Sequence, residues 1–294
     1  MRIGFIGAGL MGHGMVLNLL KHGHEVHVIA HRNRAPIEDL LVKGASEAAS
    51  LDKIAHTSEC IVLCLSSSKI VEETVATLRP CLRFGQIIID TSTSEPESTR
   101  RLAGELGALG VAYADAPLTG GPEQAAAAEL GVLCGASPET FAAILPVLSC
   151  FATTIRHMGP VGSGHTAKLI SNFLVTGMIA LVAQAFGTAR KADIDWRNLY
   201  DVMLNGSGNS GVLRKMVAPA LKGDLEGYRF SLANASKDIS YFKSLASGFG
   251  MDTVLAGAVE DVFSAAIANG QGQKNVSRLL DLCQAKCNRS HDNQ

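Results

Sequence analysis

The chain has 294 residues, 47% of them hydrophobic and 18% charged, and its formal net charge at pH 7 is −1. This composition excludes a disordered protein, and the length predicts two domains with ample material for a buried core. A net charge so close to zero leaves no basic surface for nucleic acid, which we therefore exclude as a partner.

In chain order, the first half alternates between strand-like and helix-like segments. Short runs rich in Ile and Val are separated by stretches long enough for a helix, such as 11–22 and 70–82. Continuous apolar strands that alternate with helices are typical of a parallel, doubly wound sheet. The predicted strands are residues 3–6, 26–30, 61–65, 87–90, 111–115 and 131–134.

From about Gly164 the pattern changes to helix-length segments without strand signals, interrupted by glycine-rich stretches at 206–211 and 223–227. We therefore predict an α/β Rossmann-type domain over residues 1–163 and an all-α domain over 164–294, which begins with a long interdomain helix. Residues 169–189 carry no formal charge and could span a bilayer by length. Polar residues within that stretch favour a buried helix instead, so we expect no membrane span.

The segment GAGLMG follows the first predicted strand and opens the first predicted helix. In that context Gly7 permits the tight turn and Gly9 lets the backbone approach a pyrophosphate. Gly12 allows the helix to pack closely on the strand. The helix N-terminus adds N–H groups and a positive dipole. A glycine-rich turn without a ligand is the alternative. We assign the loop to a dinucleotide cofactor: Gly7, Ala8, Gly9, Leu10, Met11 and Gly12.

The second strand ends in HRNR, residues His31–Arg34, where NAD-specific sites usually carry an acidic residue that binds the ribose. No carboxylate follows before Glu38. A guanidinium pairs with a 2′-phosphate, whereas a carboxylate repels it. Arg32, helped by Asn33 or Arg34, therefore predicts that NADP(H) is preferred, with NAD(H) also usable. The alternative is that these basic side chains lie in a loop, are hydrated by solvent and bind no phosphate.

The seven cysteines are scattered through the chain and odd in number. A secreted disulfide framework would be denser and even-numbered, so we expect reduced thiols and a cytoplasmic location. No cysteine pair has zinc-site spacing with a matching second pair, and we expect no metal.

A polar stripe marks the predicted helix that starts near Thr166. Its members, spaced i, i+3, i+4 and i+8 in an otherwise apolar segment, are Lys168, Ser171, Asn172 and Thr176. Buried polar groups need partners, which a substrate cleft between two domains would supply. A lysine that extends to solvent from the first helical turn is the alternative.

Four separated motifs occur in the order and at the distances of one enzyme family. They are GAGLMG at Gly7–Gly12, DAPLTGG at Asp115–Gly121, GHTAKLISN at Gly164–Asn172 and the late pair Lys237-Asp238. On these motifs the chain resembles the β-hydroxyacid dehydrogenase family, which includes 3-hydroxyisobutyrate dehydrogenase, tartronate semialdehyde reductase and the glyoxylate/succinic semialdehyde reductases. It departs from the family pattern at Thr119, where many members have serine, and at Ser171, where many have asparagine.

The resemblance implies an NAD(P)-dependent oxidoreductase that moves a hydride between the nicotinamide C4 and a small 3-hydroxyacid or its semialdehyde. It makes Lys168 the general acid and base, with Asn172 one turn on to orient the lysine or the substrate. Backbone N–H groups at Thr119, Gly120 and Gly121 would bind the substrate carboxylate.

The resemblance also implies contacts from three residues outside these loops. Lys237 would add positive charge near the carboxylate or the nicotinamide. Leu65, at the end of the third predicted strand, and Thr93, after the fourth, are expected to contact the cofactor. A hydroxyl cap on the following helix is the alternative role of Thr93. The expected partners are a small carboxylate-bearing substrate and further copies of the chain, in a homodimer or homotetramer.

Other readings of the sequence stay open. Within the family, a glyoxylate/succinic semialdehyde reductase is the alternative to a 3-hydroxyisobutyrate dehydrogenase-like enzyme. A non-catalytic dinucleotide-binding sensor would share the glycine loop but would not need Lys168 or the TGG loop. An imine reductase of the same superfamily would usually lack Lys168. A relative of 6-phosphogluconate dehydrogenase would be longer and would carry basic residues for a phosphate.

Overall fold

The computed structural model describes residues 1–31 and 33–282, so the prediction made for Arg32 falls outside the described residues. The chain divides into two compact units, Met1–Lys168 and Leu169–Gln294. This division lies five residues after the predicted boundary at 163/164, inside the helix Ser163–Lys191, which continues from one unit into the next.

Among the described residues, one sheet of the first unit contains nine strands: β1 Arg2–Ile6, β2 Glu25–Val28, β3 Ser46–Glu47, β4 Cys60–Leu63, β5 Ile87–Asp90, β6 Ala112–Asp115, β7 Leu118–Thr119, β8 Leu130–Gly135 and β9 Ala152–Gly159. Strands β1 to β6 are parallel in the order β3-β2-β1-β4-β5-β6. β8 runs antiparallel to β6 and β7, and β9 is parallel to β8. The predicted doubly wound parallel sheet is confirmed, with an antiparallel extension that the sequence did not predict.

Helices cover both faces of this sheet, as continuous apolar strands require. Neighbouring residues of β1 point to opposite faces, so Phe5 belongs to one apolar cluster and Ile6 to the other. The first cluster includes Met15 and Leu40, and the second includes Val71. The helices of this unit are α1 Gly12–Lys21, α2 Ala35–Val42, α3 Leu51–Thr57, α4 Ser68–Leu78, α5 Pro96–Gly107, α6 Pro122–Ala127 and α7 Pro138–Leu148.

Helix α1 holds α6 against the sheet through one small residue and one buried amide. A Cβ at Gly14 would lie 2.7 Å from the backbone carbon of Ala125, so only glycine permits this approach. Asn18 is buried and its Nδ2 donates to Ala125 O at 2.9 Å. The first helix after the glycine loop is thereby fixed to the helix that follows Thr119–Gly121.

The second unit is helical throughout its described residues, as predicted. Its helices are the later part of α8 Ser163–Lys191, then α9 Trp196–Leu204, α10 Gly211–Ala220, α11 Leu232–Gly248, α12 Val254–Ala268 and α13 Leu279–Leu282. Three of them begin at side-chain caps, because Asp195, Ser210 and Ser231 each accept a backbone N–H from the first turn. Phe186 and Phe263 are completely buried in the core of this unit. Both predicted glycine-rich interruptions fall between these helices.

Helix α8 is long, as predicted, but it is not buried all round. Ile170, Leu174 and Leu181 are 54%, 65% and 68% exposed. Among the described helices, α8 is the one whose length and apolar composition would allow it to cross a membrane, a test that core helices of soluble proteins also pass.

Candidate active site

The glycine loop between β1 and α1 has the backbone that a dinucleotide-binding turn requires. Gly7 has φ +102°, and a Cβ there would collide with the Cys64 carbonyl oxygen. A Cβ at Gly12 would collide with the carbonyl oxygen of Gly7. Gly9, by contrast, is exposed and has no atom within 4 Å of such a carbon. Two glycines therefore close the turn, and Gly9 leaves the open backbone that a pyrophosphate would approach.

A cavity of about 690 Å³ lies beside this loop at the carboxyl ends of the parallel strands. It brings together Gly7–Gly9, Asn33 and Leu65, three sites that were predicted separately for the cofactor. Its wall also contains Glu73 of α4, a hydrogen-bond acceptor that sequence reasoning missed because it occurs in an ordinary amphipathic helix. The size and the apolar walls with few polar groups are typical of a cofactor pocket.

Four described residues of the first unit that were assigned to the cofactor, Leu10, Met11, Gly12 and Thr93, do not line this cavity. In the glycine loop, Leu10 is 69% exposed and Met11 packs against the apolar core beneath α1. Thr93 follows β5 and is half-buried. Helix α5 begins at Pro96, and its N-cap residue Glu95 makes no side-chain cap hydrogen bond. Both roles considered for Thr93 stay predictions.

In the basic segment after β2, Arg34 forms an ion pair within the protein. The Arg34 guanidinium donates to both carboxylate oxygens of Glu47, at 3.0 and 3.1 Å, and lies 3.6 Å from Glu38. This hydrogen bonding lowers the pKa of Glu47. Arg34 is therefore paired within the protein, whereas Asn33, the other residue predicted to help Arg32, lines the cavity.

The loop predicted to bind a carboxylate follows β6. Gly120 has φ +108°, and a Cβ at Gly131, the partner of Thr119 across β7 and β8, would collide with the Thr119 hydroxyl oxygen. The Gly121 N–H donates to Gln124 Oε1 at 2.9 Å. One of the three predicted donors thus already has an acceptor in the protein. Sequence reasoning missed Gln124, whose position in the first turn of α6 becomes informative only once α6 is known to begin at Pro122.

Helix α8 carries Lys168 as the last residue of the first unit, half-buried, with Asn172 one turn later. Within the second unit, Asn172 Nδ2 donates to Asp238 Oδ2 at 2.6 Å, and Lys237 Nζ lies 3.2 Å from Asp238 Oδ1. Lys237 also lies 5.3 Å from the ring centre of Tyr241. Asp238 therefore satisfies Asn172 and offsets the charge of Lys237, a role that sequence reasoning did not assign to it.

The predicted polar stripe on α8 is wrong for one of its members. Asn172 and Thr176 are buried, and the Thr176 hydroxyl donates to the Asn172 carbonyl at 2.7 Å, but Ser171 is exposed. At about 100° per residue, Ser171 points roughly 60° to one side of Lys168, whereas Asn172 and Thr176 point to the other side. The spacing therefore spreads the four residues over too wide an arc for a single buried face.

Glycine loop, cavity and parallel sheet together define a dinucleotide-binding oxidoreductase domain. The sequence profile described as the NAD-binding domain of 6-phosphogluconate dehydrogenase matches residues 2–159. A second profile, described as NAD-binding of NADP-dependent 3-hydroxyisobutyrate dehydrogenase, matches residues 162–283. In the described residues no group of three or more His, Cys, Asp or Glu side chains could hold a metal ion, and the expected absence of a metal stays a prediction.

Individual relatives agree with these profiles. The chain is 31% identical to 3-hydroxyisobutyrate dehydrogenase of Pseudomonas aeruginosa, over 89% of this chain and 91% of the relative. It is 29% identical to 2-(hydroxymethyl)glutarate dehydrogenase of Eubacterium barkeri, over 96% of this chain and 94% of the relative. The crystal structure of 3-hydroxyisobutyrate dehydrogenase from Salmonella typhimurium matches with a TM-score of 0.86 and 26% identity, and the match covers 96% of this chain and 99% of that one. The chain belongs to the β-hydroxyacid dehydrogenase family and is an NAD(P)-dependent oxidoreductase of hydroxyacids.

The open backbone at Gly9 makes a prediction about cofactor binding. Gly9→Ala should leave the melting temperature unchanged, because no atom lies within 4 Å of the added carbon, and should weaken NADPH binding about tenfold or more by blocking approach of the pyrophosphate. Fluorescence titration and thermal denaturation measure the two effects. The matched control Gly7→Ala should lower the melting temperature, since its Cβ meets the Cys64 carbonyl. A Gly9→Ala protein with wild-type NADPH affinity would contradict the assignment.

Proposed function

We propose that this enzyme interconverts a small 3-hydroxyacid and its semialdehyde, with NADP(H) as the preferred cofactor. The proposal rests on one observation: the dinucleotide cavity, the Thr119–Gly121 loop and Lys168 all belong to the compact unit Met1–Lys168. The named relatives act on 3-hydroxyisobutyrate and 2-(hydroxymethyl)glutarate, which are both hydroxyacids. A non-catalytic sensor would need the cavity but neither the lysine nor the glycine-rich loop after β6.

Lys168 is the proton carrier in the proposed mechanism. The nicotinamide, when bound, supplies or accepts the hydride. In the reductive direction the Lys168 ammonium donates a proton to the carbonyl oxygen as negative charge develops there, which leaves a neutral amine and an alcohol. In the oxidative direction the neutral Lys168 amine accepts the hydroxyl proton. Asn172 is held by Asp238, so its proposed role is to fix the turn of α8 that follows Lys168.

The substrate carboxylate is proposed to bind the backbone N–H groups of Thr119–Gly121. Gly120 has a positive φ and no side chain, which allows an anion to approach the peptide closely. Gln124 Oε1 must leave the Gly121 N–H before a carboxylate takes that donor. The role of Lys237 near the carboxylate or the nicotinamide stays a prediction.

The carboxylate requirement is tested with a substrate panel. Methylmalonate semialdehyde, succinic semialdehyde and glyoxylate should be reduced with a kcat/KM at least about tenfold above that of propionaldehyde or butyraldehyde, because each hydrogen bond to a charged group contributes about 1.5–3 kcal/mol. The order among the three acids separates a 3-hydroxyisobutyrate dehydrogenase-like enzyme from a glyoxylate/succinic semialdehyde reductase. Equal turnover of neutral and carboxylated aldehydes would overturn the proposal.

We also propose a homo-oligomer, as homodimer or homotetramer, in a reducing cytoplasmic environment. The exposed Ile170, Leu174 and Leu181 form an apolar strip on α8, of a kind that subunit contacts commonly bury. The described cysteines are free thiols, which fits a reducing compartment. Light scattering at enzyme concentrations from nanomolar to micromolar measures the subunit number.

The cofactor preference is tested at Arg32. Wild-type kcat/KM should favour NADPH over NADH, and Arg32→Asp should erase or reverse this ratio by placing a carboxylate beside the 2′-phosphate. Arg34→Ala is the matched control, since Arg34 already pairs with Glu47 and its loss should leave the ratio near wild type. A wild-type enzyme that favours NADH tenfold would contradict the argument from Arg32.

The acid/base role is tested at Lys168. Lys168→Ala should lose about a hundredfold or more in kcat, the usual size of a general acid–base contribution, and should keep NADPH affinity and melting temperature. Asn172→Ala should cost less in kcat but lower the melting temperature, because it leaves the buried Asp238 carboxylate without that donor. A stable Lys168→Ala protein with near-wild-type turnover would remove Lys168 from the mechanism.

A further inference from the structure

His165 lies one helical turn before Lys168 in α8, and its side chain is completely buried in the first unit. Its Nε2 lies 3.1 Å from the Ser92 carbonyl oxygen, and its Nδ1 lies 2.8 Å from Thr99 Oγ1. A carbonyl oxygen only accepts hydrogen bonds, so Nε2 carries the hydrogen of the first contact and donates it. The imidazole therefore joins α8 to the segment after β5 and to α5.

Two buried carboxylates flank this imidazole. Asp90 and Asp115 face each other in register at the carboxyl ends of β5 and β6, and both are 0% exposed. Asp90 Oδ2 lies 3.8 Å from His165 Nε2, and Asp115 Oδ2 lies 3.9 Å from Nδ1. Burial raises the pKa of Asp115, while the nearby His165 and the backbone donors act in the opposite direction. The imidazole thus lies beside both acids.

Asp115 also fixes the backbone at the start of α8. Its Oδ1 accepts the N–H of Gly162 and its Oδ2 accepts the N–H of His165, both at 2.7 Å. A Cβ at Gly135 or Gly164 would lie within 3 Å of this carboxylate, so the strand, the acid and the helix have no spare room. These backbone contacts hold the start of α8 at Gly162 and His165, and the imidazole adds separate contacts to Ser92 and Thr99.

The same contacts connect the parts of the proposed active site. Ser92, whose carbonyl accepts from His165, uses its hydroxyl oxygen to accept the N–H of Leu65, which lines the cofactor cavity. Asp115 precedes the Thr119–Gly121 loop by four residues. Lys168 follows His165 at i+3, on the same side of α8. The imidazole of His165 thus links the helix of the proton carrier to the cofactor wall through Ser92, and the backbone N–H of His165 links it to Asp115, which precedes the substrate loop.

We propose that His165 is a positioning residue of the reaction, which holds the first turn of α8 so that Lys168 meets the reacting oxygen. It does not touch substrate or cofactor and acts through the helix it anchors. This inference rests on the proposed function, because it takes Lys168 as the proton carrier. A proton and a hydride must reach neighbouring atoms of the substrate, and a misplacement of about 1 Å costs on the order of a hundredfold in rate.

The test compares His165→Ala, His165→Gln and Tyr113→Phe. His165→Ala should lower kcat at least about tenfold, leave the KM of the semialdehyde and the Kd of NADPH within about twofold, and speed amide hydrogen exchange across residues 162–168. His165→Gln should recover most of kcat, because its side-chain amide can donate to the Ser92 carbonyl. Tyr113→Phe removes a 3.1 Å hydrogen bond to Asp90 in the same network but keeps the hydrogen bonds of His165 to Ser92 and Thr99, and should lower only the melting temperature.

If His165→Ala does not fold, Thr99→Val tests the same inference. It removes the hydroxyl that contacts His165 Nδ1 and keeps the shape of the side chain at residue 99. It should lower kcat with unchanged NADPH affinity. The inference is overturned if the folded His165 or Thr99 variant loses stability but keeps wild-type kcat, as Tyr113→Phe should. If these variants keep wild-type kcat but Lys168→Ala is inactive, only the inference about His165 is overturned, and the proposed function is still supported. An active Lys168→Ala protein would refute the proposed function itself.

Discussion

The first unit depends on how the buried Asp115 carboxylate is satisfied. An ionised carboxyl group removed from water is costly unless hydrogen bonds replace its hydration. Here two backbone N–H groups at the start of α8 supply them, and Gly135 and Gly164 provide the room. Because the donors lie at Gly162 and His165 and the acceptor in β6, the placement of the first turn of α8 against β6 depends on this electrostatic requirement together with the contacts of the His165 imidazole.

The helices, strands and loops with a clear local sequence pattern could be predicted from the sequence. Continuous Ile and Val runs gave the parallel strands, and the glycine loop gained its meaning from the strand before it and the helix after it. β3 and β7 have two residues each, too few for any periodicity, and β9 is mostly exposed and polar. The ion pair of Arg34 could not be predicted for the same reason, since its partner Glu47 lies in β3.

The partners of the site residues were beyond sequence reasoning, because they depend on tertiary contacts. Asn172 and Asp238 are 66 positions apart, and His165 and Ser92 are 73 apart. No spacing rule connects such pairs. Lys168 and Asn172 were singled out by the resemblance of their segment to a family motif, and their roles stay predictions. The sequence shows which residue types are present, but not which contacts restrain each side chain.

The pairing of Thr119 with Gly131 has a consequence for how such enzymes diverge. The threonine hydroxyl occupies the volume that any side chain at residue 131 would need. A lineage that acquires a larger residue at position 131 must therefore first, or simultaneously, give up this rotamer or this residue at position 119. The order of substitutions is constrained, and the history of the loop proposed to bind the substrate is coupled to that of the neighbouring strand β8.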